Sequence, residues 1–156
     1  MMKKLWSLPL MAALALALTG CPAPAPAAAP AGQIVVDGAW ARAATAGMNS
    51  AAYMVIRNGG AEDTLVSAQV EGAMPEIHET VQAAGGMMQM QPLANGLKVP
   101  ANGSVSLQPG GYHIMLMGLK QDLKLGGELK LKLVFKSGKT MDVTAKIQEM
   151  PMNMSK

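Results

Sequence analysis

The side chains best suited to chemistry in this chain are its two histidines, His78 and His113, and the methionines around them. In the stretch GGYHIMLMGL, at 110–119, His113 is followed at alternating positions by Met115 and Met117. Because successive side chains of a β-strand point to opposite faces, an extended chain places these three on one side. The spacing therefore predicts a strand that has one functional face.

Two further segments carry the same donor types. EIHET contains His78, and in MMQMQ the same alternation puts Met88 and Met90 on a common face. If these strands are neighbours of the one that carries His113, two imidazoles and two thioethers converge. The sequence does not choose between Met88 and Met90, since both face the same way.

This donor set has a definite preference among metal ions. Thioethers are soft and uncharged, so they bind Cu(I) well and bind hard ions such as Mg²⁺ or Ca²⁺ hardly at all. A blue-copper centre needs a cysteine thiolate, and the single cysteine of the chain is Cys21, close to the N-terminus. Structural zinc sites normally use cysteines or more histidines. The residues therefore favour a Cu(I) site.

The competing interpretation is a methionine-rich core with two incidental histidines. The chain has 15 methionines but only one phenylalanine, and methionine is an adaptable filler of apolar cores. We assign Met54 and Met141 to the core on this ground. The methionines that cluster beside the histidines are the ones assigned to metal.

The elements that must position these residues are strands. Short runs of alternating apolar side chains are separated by Gly, Pro and Asn, and no stretch keeps helical periodicity over three turns. Only 118–127 could hold a single helical turn. The pattern predicts an all-β domain, a Greek-key β-sandwich or barrel. The predicted strands are 33–42, 50–58, 63–70, 76–81, 87–93, 103–108, 112–119, 128–135 and 139–148.

The first 32 residues have a different character. A basic start, an apolar run and the sequence LTGC predict a lipoprotein signal peptide over 1–20, with Cys21 lipidated as the first mature residue. The alternative is a simple signal peptide beside a stray cysteine. The Pro- and Ala-rich segment that completes 21–32 predicts an extended linker. We therefore expect a membrane-anchored lipoprotein outside the cytoplasm, in the periplasm or at the cell surface, with its domain over 33–148.

Composition excludes several classes of function. The formal net charge is +3, and removal of Lys3 and Lys4 with the signal leaves 11 of the 13 Lys and Arg residues against 10 acidic ones. No basic footprint for nucleic acid remains. With no cysteine nucleophile, phosphate-binding loop or prominent carboxylate pair, the sequence predicts a protein that is not an enzyme. We expect a monomer.

The tail over 149–156 is a separate feature. Its MPMNM motif places Met150, Met152 and Met154 on one side of an extended chain. These three thioethers are possible accessory metal donors, as are Met88 and Met117. The simpler interpretation of the tail is a terminus without a role.

Several motifs together resemble a known family. EIHET, MQMQPL, PGGYHIMLMGL and GGELKLKLVF occur in this order between residues 76 and 135. They resemble the periplasmic copper chaperones of the PCu(A)C family, which assemble the CuA centre. The resemblance covers the domain from DGAWARA to the final strand and is most specific in PGGYHIMLMGL. It implies a cupredoxin-like β-barrel, a surface Cu(I) site of two histidines and two methionines, and copper supply to the CuA site of cytochrome c oxidase.

Carried over by position, the resemblance implies His78, Met90, His113 and Met115 as the copper ligands. The family's optional methionine after the first histidine is replaced here by Glu79. Implied partners are the CuA subunit of cytochrome c oxidase or a thiol protein similar to Sco. Two other functions stay open: a lipoprotein that stores copper and confers resistance, and a structural lipoprotein whose methionines serve packing or react with oxidants.

Overall fold

Alternation of apolar and polar side chains produces ten strands in the computed structural model, which describes residues 29–150. Across this range there is no helix, and hence none that is long and apolar enough to span a membrane. The predicted all-β class is confirmed. The strands are β1 Ile34–Arg42, β2 Ser50–Asn58, β3 Asp63–Val70, β4 Met74–Gln82, β5 Met88–Pro92, β6 Leu97–Val99, β7 Gly103–Leu107, β8 His113–Met117, β9 Glu128–Phe135 and β10 Thr140–Gln148.

The strands form one sheet that curves back on itself. Their order is β5-β4-β8-β2-β1-β10-β9-β3-β6, with β7 also paired to β2. Among the pairings between these ten strands, only β1–β10 is parallel. β3 lies against β4, and β6 lies against β7, so distant parts of the strand order approach each other. Neighbours that are far apart in sequence, such as β4 and β8, are typical of Greek-key connections.

The core lies inside this curved sheet and is built mainly from Leu, Ile, Val and Ala. One methionine of the described range, Met54, is fully buried in it, and Met141 packs at its edge. The methionine content of the chain is therefore not explained by core packing. Six methionines are instead among the exposed large apolar side chains: Met48, Met74, Met87, Met88, Met90 and Met150.

Two local differences from the predicted elements have simple causes. β6 is only three residues long, too short for alternation to be visible, and was not predicted. The segment 118–127 contains no helical turn, although Leu119 and Leu123 have helical spacing. Both leucines are buried in the core, and Leu123 exchanges two backbone hydrogen bonds with Ala44, of 2.8 and 3.2 Å. Cross-chain pairing therefore replaces local helical bonding.

Gly96, just before β6, offers a test of this architecture. Its φ is +74°, and a Cβ at this position would overlap the carbonyl oxygen of Leu65 in β3. We expect Gly96→Ala to lower the free energy of unfolding by at least about 3 kcal/mol, measured by urea denaturation. The matched control is Gly47→Ala, where φ is +81° and nothing lies within 4 Å. That change should cost only the backbone strain, about 1–2 kcal/mol. Equal losses of unfolding free energy in the two variants would contradict the close approach of Gly96 to the Leu65 carbonyl.

Candidate metal centre

The two histidines lie directly opposite each other on neighbouring strands. The antiparallel register of β4 and β8 pairs His78 with His113, Glu76 with Met115 and Met74 with Met117. Directly opposite side chains of an antiparallel pair project from the same face. The residues between them, including Ile77 and Ile114, point into the core. The three pairs therefore occupy the face opposite to the core.

A third strand, β5, extends this face beyond β4. Its register places Met90 opposite Thr80 and Met88 opposite Gln82. Met90 is thus one diagonal step from His78, a separation of about 7–8 Å that long side chains can bridge. Met88 is a further step away along the strand. The pairing register distinguishes two methionines that the alternation of the sequence treats as equivalent.

The imidazole rings are close, tilted and buried. Their centroids are 5.8 Å apart with an interplanar angle of 47°. Both residues are nearly inaccessible, with exposed fractions of 8% for His78 and 3% for His113. A metal bonded to one nitrogen of each ring at about 2 Å would place the centroids roughly 5–6 Å apart. The separation of the rings therefore fits one shared ion.

Hydrogen bonds determine which nitrogen of His113 is available. Its Nδ1 lies 3.1 Å from the carbonyl oxygen of Gly111. A carbonyl oxygen can only accept, so Nδ1 carries the proton and Nε2 keeps a lone pair. The same carbonyl accepts the backbone N–H of Thr80 at 3.1 Å, which ties the turn before β8 to β4. The orientation of this ring is therefore set by the backbone.

His78 is oriented in the complementary way, by a carboxylate. Its Nε2 lies 3.0 Å from Oε2 of Glu76 on the same strand. In the neutral ring Nε2 donates this hydrogen bond, so the lone pair is on Nδ1. That Nδ1 is buried and has no hydrogen-bond partner. A buried nitrogen without a partner costs free energy unless something binds it, and a metal ion satisfies it.

Burial also keeps His113 in the form that binds metals. Removal of the ring from water lowers the pKa of His113 below its usual 6.5, and the nearby His78 lowers it further, while the hydrogen bond to Gly111 acts in the opposite direction. A lowered pKa means that the neutral ring persists into mildly acidic solution. Protons therefore compete with a metal for this nitrogen only at lower pH than at an exposed histidine.

This pKa shift predicts the pH dependence of stability for the metal-free protein. Because the pKa of His113 is lower in the folded than in the unfolded chain, protonation favours unfolding. The contribution of the neutral His113 ring to the free energy of unfolding is complete above about pH 6.5. It is lost as the pH falls below 6.5, by at most about 1.4 kcal/mol per pH unit. Urea denaturation at pH 7.5 and at pH 5 should show that the free energy of unfolding falls less with pH in His113→Gln than in the parent. Parallel curves would contradict the shift.

Aromatic rings support His113 from the side of β2. The Tyr53 ring lies 6.4 Å from that of His113, and Trp40 packs on Tyr53 at 4.5 Å. A bulge in β1 between Asp37 and Trp40 brings Trp40 opposite Tyr53, and Gly38 within it has a φ of +58°. Burial raises the pKa of Tyr53, and Arg42 opposes this shift. The sequence analysis did not identify this support.

The remaining predicted residues are distributed as follows. Met117 lies on the histidine face, two residues beyond Met115. Met150 follows β10, and two strands, β2 and β1, lie between β8 and β10 in the sheet. Glu79 is hydrogen-bonded at 2.7 Å by the side-chain amide of Gln91. Cys21, Met152 and Met154 lie outside the described residues.

Sequence reasoning missed Met74 and the role of Glu76. The predicted strand began at residue 76, whereas β4 begins at Met74, so the partner of Met117 was not assigned to the face. Continuing the two-residue alternation backwards from His78 would have found Met74.

In the described part of the chain, no group of three or more His, Cys, Asp or Glu side chains is placed to hold a metal ion. The histidine pair is distinguished by its methionine neighbours.

Comparison with known proteins matches this domain to one family and one relative whose names both read "Putative lipoprotein". Residues 34–147 match the family model described as "Putative lipoprotein LpqE-like". The protein named "Putative lipoprotein Lxx21020", from Leifsonia xyli subsp. xyli (strain CTCB07), is 36% identical over 146 residues. That alignment covers 89% of this chain and 87% of the relative.

Solved structures with the same architecture are PCuAC domains and a protein of Deinococcus radiodurans. The apo PCuAC domain from PmoF1 has a TM-score of 0.62 and 26% identity, and the match covers 80% of this chain and 100% of that domain. The solution structure of CuI-DR1885 from Deinococcus radiodurans has a TM-score of 0.60 and 32% identity, and the match covers 81% of this chain and 82% of that protein. The predicted cupredoxin-like fold and the family resemblance found in the sequence are confirmed.

Proposed function

The chain belongs to the LpqE-like family, and we propose that it is a lipid-anchored, extracytoplasmic copper chaperone. It binds one Cu(I) ion through His78, Met90, His113 and Met115. It hands this ion to the CuA subunit of cytochrome c oxidase, directly or through a thiol protein similar to Sco. The protein acts as a monomer and catalyses no reaction.

The observation that carries this proposal is the histidine pair across β4 and β8. The two rings are 5.8 Å apart, and each is bound on one nitrogen by the protein, which leaves one lone pair per ring. Fixing the tautomer from outside is how proteins usually prepare histidine for a metal. Met115 on β8 and Met90 on β5 flank the pair on the same face.

The preferred oxidation state follows from the charge and softness of the ligands. Two thioethers and two neutral imidazoles bring no negative charge, so they suit the singly charged, soft Cu(I) better than Cu(II). The CuI form of the Deinococcus radiodurans protein, 32% identical to this chain, supports the same preference. Because Cu(I) has a filled d shell, the loaded protein should be colourless.

Exposure of the ligands supports delivery rather than permanent storage. The histidines are buried, but Met90 is 59% exposed and lies on β5, the strand at one end of the sheet order. All five residues of β5 are exposed. An acceptor can therefore approach one ligand of the ion without unfolding the domain. A storage protein would be expected to enclose its metal more fully.

A Cu(I) titration tests the proposal. The chain from residue 29, which contains all ten strands, is titrated under reducing conditions against a chromophoric Cu(I) chelator. We expect one tightly bound Cu(I) per chain and much weaker binding of Cu(II). Trp40 lies in this range and packs on Tyr53 beside His113, so its fluorescence gives a second readout. Absence of competition with the chelator would overturn the function.

The anchor at Cys21 makes an independent prediction. Lipoprotein modification adds two or more acyl chains, enough for stable attachment, whereas one chain holds only weakly. We expect Cys21→Ala to leave the protein soluble or unprocessed, with its Cu(I) affinity unchanged. Fractionation after a salt wash measures the first effect, and chelator competition measures the second. A processed Cys21→Ala protein that stayed in the membrane fraction would exclude the lipid as its anchor.

A further inference from the structure

The histidine face continues past the proposed site into a cluster of methionines. Met74 on β4 lies directly opposite Met117 on β8, and Met115 is the next residue of β8 on that face. Met74 is 66% exposed, and the other two are partly exposed. We propose that these three thioethers form a second binding site for one soft monovalent ion, Cu(I) or Ag(I). We call it the outer site, and the histidine site the inner site.

The strand register brings the three sulfur atoms within reach of one point. Directly opposite residues such as Met74 and Met117 have Cβ atoms about 4.5–5.5 Å apart. Met115 and Met117 are separated by two residues of one strand, roughly 7 Å. Methionine has three rotatable side-chain bonds, so sulfurs at these separations can converge without movement of the backbone.

Packing does not explain why methionine occupies this surface. The buried core contains only one methionine among the described residues, so the fold relies on leucine, isoleucine, valine and alanine for packing. Met74 is mostly exposed and buries little apolar area. Thioethers add a ligand preference that leucine would not have.

The chemistry of the outer site differs from that of the inner site. Three thioethers select soft ions but lack the imidazole nitrogens, so the outer site binds more weakly. Glu76, directly opposite Met115, brings a carboxylate beside it and attracts a cation. Met115 belongs to both sets of ligands. An ion at the outer site can therefore pass inward by keeping Met115 and exchanging Met74 and Met117 for the histidines and Met90.

The passage of ions from the outer to the inner site rests on the proposed function, but the outer site itself does not.

The test of the outer site uses Ag(I), which is soft and not oxidised, with the chain from residue 29 carrying His78→Gln and His113→Gln. Methyl ¹³C signals of methionine are followed by NMR. We expect Ag(I) to shift the signals of Met74, Met115 and Met117, and to leave that of the buried Met54 in place. Adding Met74→Leu should weaken this binding about tenfold, whereas Met87→Leu should not.

The outcomes separate the two proposals. If Ag(I) leaves the Met74 and Met117 signals unchanged in the double variant, the outer site does not exist. If those signals shift but the parent chain binds no more tightly than the double variant, the outer site stands and the proposed function fails. Stopped-flow loading of the parent through Trp40 fluorescence tests the passage. We expect Met74→Leu to load several-fold more slowly than Met87→Leu, and equal rates would overturn the passage.

Discussion

Replacing His113 by glutamine is expected to weaken Cu(I) binding at least about a hundredfold, or roughly 2.7 kcal/mol, without loss of the fold. His113 is buried, and its Nδ1 is committed to Gly111, so its Nε2 is the atom left for the metal. Glutamine can keep a hydrogen bond to Gly111 through its amide NH₂, but it offers copper only a hard oxygen. Chelator competition measures the affinity, and urea denaturation checks the fold.

A second change on the same strand shows whether the sulfur ligand is assigned correctly. Met115→Leu conserves volume and apolar character, so the fold should tolerate it. The loss of one thioether should weaken Cu(I) binding at least about tenfold, or roughly 1.4 kcal/mol. Met87→Leu, in the turn before β5, is the matched control and should bind as the parent does. If Met115→Leu binds Cu(I) as tightly as the parent, the ligand set is wrong.

Most of the strands were predictable because one side of each lines the core. In ELKLKLVF of β9, leucines that are buried alternate with charged residues that are exposed, and this contrast is visible in the sequence alone. β6 was not predicted because three residues are too few to show the two-residue alternation of a strand. The absence of a helical turn over 118–127 depends on hydrogen bonds to Ala44, far away in the sequence. Local spacing contains no information about such a partner.

The faces of the site residues were also predictable, but their neighbours were not. Alternation places His113 and Met115 on one side of β8 and says nothing about which strand lies beside it. The pairing of His78 with His113 joins residues separated by the whole of β5, β6 and β7. For this reason the ligand set in the sequence analysis depended on family resemblance. The register then separates Met90 from Met88, which alternation alone could not do.

The hydrogen bonds that orient the rings were beyond the reach of sequence reasoning. Glu76 is two residues from His78, so alternation along a strand puts both on one face, but the bond of Glu76 to Nε2 depends on the rotamers of both side chains. The carbonyl of Gly111 is available to His113 only because a turn directs it towards β4. Backbone acceptors carry no signature in the sequence. The two hydrogen bonds, one to a side chain and one to the backbone, nevertheless decide which nitrogen of each imidazole can bind a metal.

Transfer of copper to a dithiol protein is the second large effect that we expect. Thiolates are stronger ligands for Cu(I) than thioethers or imidazoles, so the ion should move from this chain to the acceptor. The exposure of the ligands indicates the route. In the proposed site, Met90 on the exposed strand β5 would be the ligand that an incoming thiolate replaces first, while the buried histidines would hold the ion. Exchange through a shared complex then avoids release of free Cu(I).

The measurement mixes the chain, loaded with Cu(I), with an equimolar reduced CuA domain and determines copper in each protein after separation. We expect at least about 99% of the copper on the acceptor. Between equimolar proteins this requires dissociation constants that differ about 10⁴-fold, a difference in binding free energy of roughly 5.5 kcal/mol. An acceptor with its cysteines changed to serine is the control and should receive none, because the thiolates supply the driving force. Addition of a small Cu(I) chelator distinguishes direct exchange, which it should not intercept, from release into solution. Copper that remains on this chain in the presence of excess reduced acceptor would show that the protein stores the ion.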